Sequence, residues 1–310
     1  MNKKTAVITG GAGFIGSHLA EALANRNYQI VILDDLSTGK MASIDSILAK
    51  SDVKFVPGSV TDLALLNKLF QNMDYVFHLA AITSVPRSVE APLASHEVNI
   101  TGTLNVLMAA KASKVRKLVY ASSSSVYGDT PTLPKNEDMF PNPQSPYAVA
   151  KLCGEYYCRV FLQVYSLNTA SLRYFNVYGP RQDPNSQYAA VIPAFIKRLS
   201  EGRSPIIFGD GEQTRDFTFV KDAVEASIMT AESDATGVFN VGTGHRTSIN
   251  ELAKLVATIM GSGVTAIHEK ARTGDVKHSQ ANISKAREIG YNPRYSLEEG
   301  LKETIKGWQQ

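Results

Sequence analysis

The sequence predicts an α/β protein with a doubly wound parallel sheet and a smaller mixed lobe in its C-terminal part. Strand-like runs alternate with helical stretches through the first half, and after about Pro180 the pattern changes to glycine-punctuated loops, helical runs and short strands. Repeated βαβ units form a parallel sheet covered by helices, because parallel strands need long crossovers of one hand. We therefore expect a first domain over residues 1–179 and a second lobe over 180–310, with segments that return to the sheet.

Six apolar runs predict the strands of this sheet in order along the chain. They occupy residues 5–9, 29–33, 53–56, 75–79, 117–122 and 169–174. In the second lobe, the pattern predicts helices over 191–201 and 249–260 and a short strand over 205–208. Ligands of such folds lie at the carboxyl ends of the strands, so the functional residues are expected there.

The composition is that of a globular protein, with 310 residues, 44% hydrophobic and 20% charged. No apolar run approaches the roughly eighteen residues that span a bilayer. The net charge of +3 is spread along the chain. We therefore expect neither a membrane nor a nucleic-acid partner. Residues 1–11 contain no signal segment, which predicts a cytoplasmic protein.

The histidines and cysteines indicate neither a metal site nor a disulfide framework. The six histidines show no metal-ligand spacing, so no metal is expected. Cys153 and Cys158 are the two cysteines and lie in a segment with a helical pattern. Five positions apart, they do not share a helix face, so we expect them to be packing residues.

A glycine-rich segment follows the first predicted strand and leads into a helix. Gly10, Gly13 and Gly16 allow a tight turn whose backbone approaches a pyrophosphate, which the first amides of the helix then bind. Asp34 ends the second predicted strand, where a carboxylate accepts hydrogen bonds from an adenosine ribose and repels a 2′-phosphate. The nearest following basic residue is Lys40. The pattern predicts NAD rather than NADP. The alternative for the glycines is a purely structural turn, and the alternative for Asp34 is a solvated loop aspartate.

A second motif predicts a catalytic group on a helix. Ser145 and Pro146 are typical of a helix start, so Tyr147 and Lys151 lie one turn apart on one face. A lysine about 4 Å from the phenol is worth roughly 4 kcal/mol at an effective dielectric of about 20, or about three pKa units. We therefore expect the pKa of Tyr147 to lie near the working pH. Serines at 122–125 end the fifth predicted strand and place hydroxyls nearby.

Taken together, these motifs resemble the extended short-chain dehydrogenases, and within them the UDP-sugar 4-epimerases. The resemblance runs from residue 5 to about 308 and is closest to the subgroup that acts on UDP-N-acetylglucosamine. It includes the segments TGGAGFIGSHL, HLAA, ASSSSVYG, SPYAVAK, RYFNVYGPRQ, FGDGEQTRDF and GDVKHSQANISKA. The fold that the resemblance implies is the Rossmann fold.

The resemblance implies an NAD-dependent 4-epimerase with Ser123, Tyr147 and Lys151 as catalytic residues. Tyr147 would remove the proton of the sugar 4-hydroxyl while a hydride passes from C4 to NAD, and Ser123 would bond the same oxygen. The transient 4-keto sugar would then turn over and receive the hydride on its other face. Lys151 would hold the nicotinamide ribose and favour the phenolate of Tyr147.

The remaining binding residues follow from the same motifs. Those expected at NAD are Gly10, Gly13, Phe14, Ile15, Gly16, Asp34, Ser37, Thr38, Gly39, Ser59, Val60, Leu79, Ala80, Ala81, Asn99, Tyr147, Lys151 and Tyr174. Those expected at the UDP-sugar are Ser123, Ser124, Asn176, Val191, Phe208, Arg215, Arg272, Asp275 and Ser279. Relatives also dimerise, which here implies a homodimer through helices that begin near Asn99 and Pro146.

Three positions depart from the usual pattern of galactose epimerases. Ser59 stands where an aspartate usually contacts adenine, so the binding of adenine is expected to differ. Thr83 replaces a common lysine, as in the subgroup that acts on N-acetylated sugars. Ser279 replaces a tyrosine and leaves room for a 2-acetamido group. These residues predict interconversion of UDP-N-acetylglucosamine and UDP-N-acetylgalactosamine, alongside the non-acetylated pair.

The same scaffold also supports other functions. A dTDP-sugar 4,6-dehydratase needs an Asp-Glu pair where this chain has Ser124 and Ser125, so elimination lacks its acid and base. A UDP-glucuronate 4-epimerase or decarboxylase stays open, because both reactions begin with the same oxidation at C4. A non-enzymatic NAD-binding sensor is disfavoured, since such proteins typically lose the catalytic tyrosine.

Overall fold

A computed structural model describes residues 3–183, 190–271 and 276–308. Its strands are β1 Thr5–Thr9, β2 Gln29–Asp34, β3 Val53–Pro57, β4 Tyr75–His78, β5 Lys117–Ser123, β6 Thr169–Tyr174, β7 Val177–Tyr178, β8 Ile206–Phe208, β9 Thr214–Arg215, β10 Thr218–Phe219, β11 Gly237–Val241, β12 Thr247–Ser248 and β13 Ile267–Glu269.

The helices alternate with these strands. They are α1 Phe14–Asn25, α2 Asp45–Leu48, α3 Leu63–Leu69, α4 Val85–Glu90, α5 Pro92–His96, α6 Gly102–Ala112, α7 Pro146–Tyr165, α8 Val191–Ser200, α9 Val220–Glu232, α10 Ile249–Ile259, α11 Ser284–Glu288 and α12 Leu297–Lys306. A π-helical turn, Glu97–Thr101, joins α5 to α6, and short 3₁₀ turns occupy Met41–Ser43 and Ser124–Tyr127.

Seven strands form one parallel sheet in the order β11-β6-β5-β4-β1-β2-β3. This confirms the predicted doubly wound fold, and each of the six predicted strands appears with its ends within one residue of the prediction. The strand order reverses between β1 and β4, so the carboxyl ends of these two strands open a crevice for a ligand.

The core lies on both faces of the sheet. Successive residues of β1 alternate between two apolar clusters, because side chains of a strand point to opposite faces. Ala6 and Ile8 pack in one cluster with α1 and the second lobe. Val7 packs in the other with residues of α3 and α6. Burial on both faces explains why β1 and β2 are continuous apolar runs.

The second lobe is built from short two-stranded pairings. β8 pairs with β13 and β9 with β12, whereas β10 pairs with β7, which lies just before the predicted boundary at residue 180. The predicted helices are present as α8 and α10, and the predicted strand as β8. Strand β11 returns from this part of the chain to pair with β6 at the end of the large sheet. Among the described residues, no helix is both long and apolar enough to cross a bilayer.

Candidate active site

The glycine loop after β1 leaves a backbone surface without side chains. Gly10 has φ +70, and a Cβ there would lie 2.6 Å from the amide nitrogen of Ala80. A Cβ at Gly16 would lie 2.1 Å from the carbonyl oxygen of Gly10. Helix α1 starts after Gly13 with no side chain capping its first amides, so the amides of Phe14 and Ile15 point to an anion site. This arrangement fits the pyrophosphate of NAD.

Asp34 ends β2 beside this loop. One of its carboxylate oxygens accepts the N–H of Ala12 and the other accepts the N–H of Leu36, both at 2.9 Å. Burial raises the pKa of the carboxyl group, while these two N–H groups oppose the increase. Each carboxylate oxygen has a second lone pair for a ribose hydroxyl, so the geometry fits NAD.

The other residues expected at NAD follow the carboxyl ends of three strands of the large sheet, which lie on either side of β1. They are Ser37, Thr38 and Gly39 after β2, Ser59 and Val60 after β3, and Leu79, Ala80 and Ala81 after β4. The hydroxyl of Ser59 accepts hydrogen bonds from the amide and hydroxyl of Thr61. In the turn after β3, the Ser59 hydroxyl is therefore bonded within the turn itself. The usual pattern has an aspartate at this position, whose carboxylate contacts adenine.

Two further residues expected at NAD use their polar atoms inside the protein. The carboxamide of Asn99 accepts the N–H of Ile82 at 2.8 Å and donates to its carbonyl oxygen at 3.0 Å. The hydroxyl of Tyr174 lies 2.8 Å from that of Ser227. The carboxamide of Asn99 therefore holds the segment after β4. The contacts of Asn99 and Tyr174 with NAD stay predictions.

Tyr147 and Lys151 occupy the first turns of α7, as the sequence predicts. The hydroxyl of Ser145 caps this helix by accepting the N–H of Ala148 at 3.2 Å, and Pro146 is the first helical residue. The hydroxyl of Ser123, at the end of β5, acts on the phenol of Tyr147 so as to favour its ionised form. Helix and strand ends thus bring all three predicted catalytic residues together.

The expected effect of Lys151 on Tyr147 is not present in the protein alone. Burial raises the pKa of Tyr147, and the hydroxyl of Ser123 opposes this increase. The Lys151 ammonium lies 5.9 Å from the Tyr147 ring centre and donates to the carbonyl oxygen of Ala121 at 2.7 Å. Burial also lowers the pKa of Lys151 to about 8. The prediction of a lowered tyrosine pKa was wrong here because desolvation of the phenolate dominates.

A cleft of about 370 Å³ lies between the strand ends and the second lobe. Four residues expected at the UDP-sugar line it, namely Asn176, Val191, Phe208 and Arg215. Ser84, Gln182 and Gln213 also line it and were not predicted from the sequence. Gln182 lies in the quoted segment RYFNVYGPRQ, so that motif was the available signal.

The other residues expected at the UDP-sugar are less directly placed. Ser124 begins the turn after β5, directly after Ser123. Ser279 is 8% exposed, and its N–H donates to the carbonyl oxygen of Thr214 at 3.0 Å, next to two residues of the cleft wall. Arg272 and Asp275 lie outside the described residues.

The cleft, the uncapped glycine loop and the Ser-Tyr-Lys group define a dinucleotide-dependent enzyme on a Rossmann fold. The sequence model of the NAD dependent epimerase/dehydratase family matches residues 6–242. The chain therefore belongs to this family, and it is an NAD-dependent enzyme.

Known proteins agree with this assignment over nearly the full chain. A solved structure of a UDP-N-acetylglucosamine 4-epimerase from Methanobrevibacter ruminantium M1, in complex with UDP-N-acetylmuramic acid, is 43% identical and covers 100% of this chain and 99% of its own, with TM-score 0.97. A UDP-glucose 4-epimerase from Mycolicibacterium smegmatis is 40% identical over 97% of both chains. A UDP-glucuronate 4-epimerase from Thermodesulfobacterium geofontis is 34% identical over 96% of this chain and 94% of its own. These relatives confirm the prediction of an enzyme of the UDP-sugar 4-epimerase type.

Proposed function

We propose that this enzyme interconverts UDP-N-acetylglucosamine and UDP-N-acetylgalactosamine and also accepts UDP-glucose and UDP-galactose. The observation that carries the proposal is the cleft of neutral side chains, whose wall at Val85 is joined through Ser88 to the backbone of Tyr147. Among its described lining residues, Arg215 is the single charged one. The 43% identical relative that acts on UDP-N-acetylglucosamine supports the acetylated pair.

The charge of the cleft favours neutral sugars over uronic acids. Arg215 lies on β9 and suits the diphosphate, which it can pair through charge-assisted hydrogen bonds. A uronate would add a further negative charge, and the described lining offers no second cation for it. A buried carboxylate without a counter-charge is costly. The UDP-glucuronate reactions are therefore the second candidate. Because a 34% identical relative is a UDP-glucuronate 4-epimerase, UDP-glucuronate is included among the substrates to be tested.

In the proposed reaction, the phenolate of Tyr147 accepts the proton of the sugar 4-hydroxyl. Ser123, whose hydroxyl acts on the Tyr147 phenol, donates a hydrogen bond to the same oxygen and so orients it. When bound, NAD would accept the hydride from C4 and return the same hydride to the other face of C4, and its cationic nicotinamide would favour the phenolate. The 4-keto sugar then turns over in the cleft, and Tyr147 returns the proton to the oxygen of the inverted carbon.

The test follows the NMR signals of the sugar anomeric protons while the purified protein acts on each UDP-sugar in turn. We expect both acetylated sugars to reach one equilibrium mixture from either side, with UDP-glucuronate unchanged. The variant Tyr147→Phe keeps the ring and should reduce turnover by about a hundred- to ten-thousand-fold. It should still bind the UDP-sugar in calorimetry. Conversion of UDP-glucuronate alone would contradict the proposal.

We further propose a homodimer formed through α6 and α7. Val149, Tyr156, Val160 and Val164 form an outward stripe on α7, and their exposed fractions lie between 42% and 64%. Met108 on the neighbouring α6 is also 42% exposed. A continuous apolar stripe on a surface helix is typical of an interface. Helix α6 begins at Gly102, three residues after the predicted start near Asn99, and Asn99 lies in the π-helical turn that precedes it.

A further inference from the structure

A buried ion pair lies directly behind the catalytic residues. The carboxylate of Glu155 binds the guanidinium of Arg173 at two points, 2.9 Å and 2.7 Å. Both side chains are almost fully buried, with side-chain exposures of 3% and 4%. Glu155 lies on α7 at four-residue spacing after Tyr147 and Lys151, so the three residues share one face of the helix. Arg173 lies on β6 one residue before Tyr174.

The same carboxylate is bonded to the strand that carries Ser123. The hydroxyl of Ser122 donates to Glu155 at 2.5 Å. One residue earlier on β5, the carbonyl oxygen of Ala121 accepts from Lys151. Two consecutive residues of β5 are therefore attached to α7 immediately before the catalytic serine. These attachments set the position of Ser123 relative to Tyr147.

Glu155 also contributes negative charge beside Lys151. The groups that act on Lys151 or face it are Tyr147, Glu155 and Cys158 on α7, Tyr120 on β5, whose ring centre lies 5.0 Å from the ammonium, and His78 on β4. Burial raises the pKa of the Cys158 thiol to about 12 and lowers that of His78 to about 3, so both are neutral at working pH. Of the groups in this set, Glu155 is the one carboxylate.

We propose that Glu155 is a positioning residue of the reaction, which holds β5 so that Ser123 faces Tyr147 and keeps Lys151 in its cationic form. The proposal rests on the function proposed above, because it assigns Tyr147 and Lys151 to proton transfer. Glu155 acts through Ser122 and Lys151, and Arg173 compensates its charge in the interior. Removal of Glu155 alone leaves Arg173 buried without a counter-charge, which threatens the fold.

Three variants separate the attachment of Glu155 to β5 from the effect of its charge on Lys151. Ser122→Ala removes the attachment to β5 and keeps the ion pair. Glu155→Asp keeps the charge with a shorter side chain. The pair Glu155→Gln with Arg173→Met removes both charges together, so neither partner of the ion pair remains buried alone, and Lys151 loses its neighbouring carboxylate. Thr169→Val is the matched control, because it removes another buried hydrogen bond between α7 and β6, from Thr169 to the Cys158 carbonyl oxygen.

The readouts are kcat, KM and the pH at which kcat declines on the alkaline side. We expect Ser122→Ala to lower kcat by about five- to tenfold, which corresponds to the loss of about one hydrogen bond. KM and the alkaline limb, meaning the pH range over which kcat declines at high pH, should not change. Glu155→Asp should also lower kcat and keep the limb in place. The charge-free pair should lower kcat and move the limb to lower pH, because Lys151 then loses its proton more easily.

A titration without substrate keeps this inference separate from the proposed function. The near-ultraviolet absorbance of the phenolate, with Tyr147→Phe as the blank, follows the catalytic tyrosine directly. In the charge-free pair its apparent titration should change, while Thr169→Val should match the starting protein. Failure of the starting protein to convert any UDP-sugar would contradict the proposed function only. An unchanged kcat in Ser122→Ala would overturn the role of Glu155. So would a folded charge-free pair in which both the alkaline decline of kcat and the phenolate titration occur at the same pH as in the starting protein.

Discussion

The hydroxyl of Ser88 accepts a hydrogen bond from the backbone N–H of Tyr147 at 3.1 Å. The same hydroxyl donates to the carbonyl oxygen of Val85 at 2.6 Å. Ser88 is completely buried on α4, and Val85 lines the substrate cleft. One side chain therefore connects the wall of the cleft to the backbone of the proposed acid–base residue. Movement of this wall would be transmitted to the first turn of α7.

We expect Ser88→Ala to impair catalysis more than substrate binding. The change leaves the N–H of Tyr147 without its partner, and an unsatisfied buried donor costs about 1–3 kcal/mol. Thermal unfolding should report that loss, and steady-state kinetics should show a lower kcat with a similar KM. Ser95→Ala is the control, because the buried Ser95 hydroxyl bonds Asn99 rather than Tyr147. Equal kinetic effects in both variants would contradict a specific link to Tyr147.

The glycine loop predicts that NAD remains with the purified protein. Heat-denatured and filtered protein should release NAD in near-stoichiometric amount. Gly16→Ala should abolish this retention, because its Cβ would lie 2.1 Å from a backbone oxygen that cannot move aside. Gly263→Ala is the matched control, since a Cβ there meets no atom within 4 Å. Full retention of NAD by Gly16→Ala would show that the loop does not approach the cofactor closely.

Lys151 should make activity and stability respond to pH in opposite directions. Its pKa is lowered from 10.5 to about 8 by burial, so kcat should fall as pH rises through about 8 and the cation is lost. Between these values the unfolded chain binds more protons at Lys151 than the folded protein does. Its contribution to the free energy of unfolding therefore increases with pH in that window.

The measurement compares the protein with Lys151→Met by chemical denaturation at several pH values. Any stability advantage of the methionine variant should be greatest below pH 8 and should shrink toward pH 10.5, because the buried cation is then neutral. A stability difference that is independent of pH would show that Lys151 has an ordinary pKa.

Ser279→Tyr should reduce activity on acetylated sugars selectively. Ser279 is nearly buried beside β9, where a larger side chain would crowd the proposed acetamido group. Overpacking of this kind costs about 1–3 kcal/mol, or roughly five- to a hundred-and-fifty-fold in rate. UDP-glucose is the internal control, because it lacks the acetyl group. The test is the ratio of kcat/KM values for the two substrates, and an unchanged ratio would remove Ser279 from the specificity argument.

A charge in the apolar stripe of α7 should prevent dimer formation. Val160 is 42% exposed at the centre of that stripe, and Val160→Glu would bury a carboxylate in the proposed interface. Sedimentation equilibrium should show a dimer for the starting protein and a monomer for the variant. Leu63→Glu on α3, at a site 36% exposed, provides a control away from the stripe. A monomeric starting protein would exclude the homodimer.

Much of the fold and part of the site could be predicted from contiguous segments. Strands β1 to β6 are apolar runs with clear ends, and periodicity along a chain is a local property. The glycine loop and Asp34 occupy set positions relative to β1 and β2. Tyr147 and Lys151 share a face because helix geometry alone places residues four apart together.

The sequence by itself thus determined the parallel sheet, the glycine loop and the Tyr-Lys pair of this protein. Only the tertiary structure decided that β11 completes the sheet beside β6, that Ser88 holds Tyr147, and that Glu155 and Arg173 meet behind Lys151. Such contacts join distant segments, so no local pattern encodes them. It also decided the pKa of Tyr147, because the free energy of an ionised group depends on what surrounds it and excludes water.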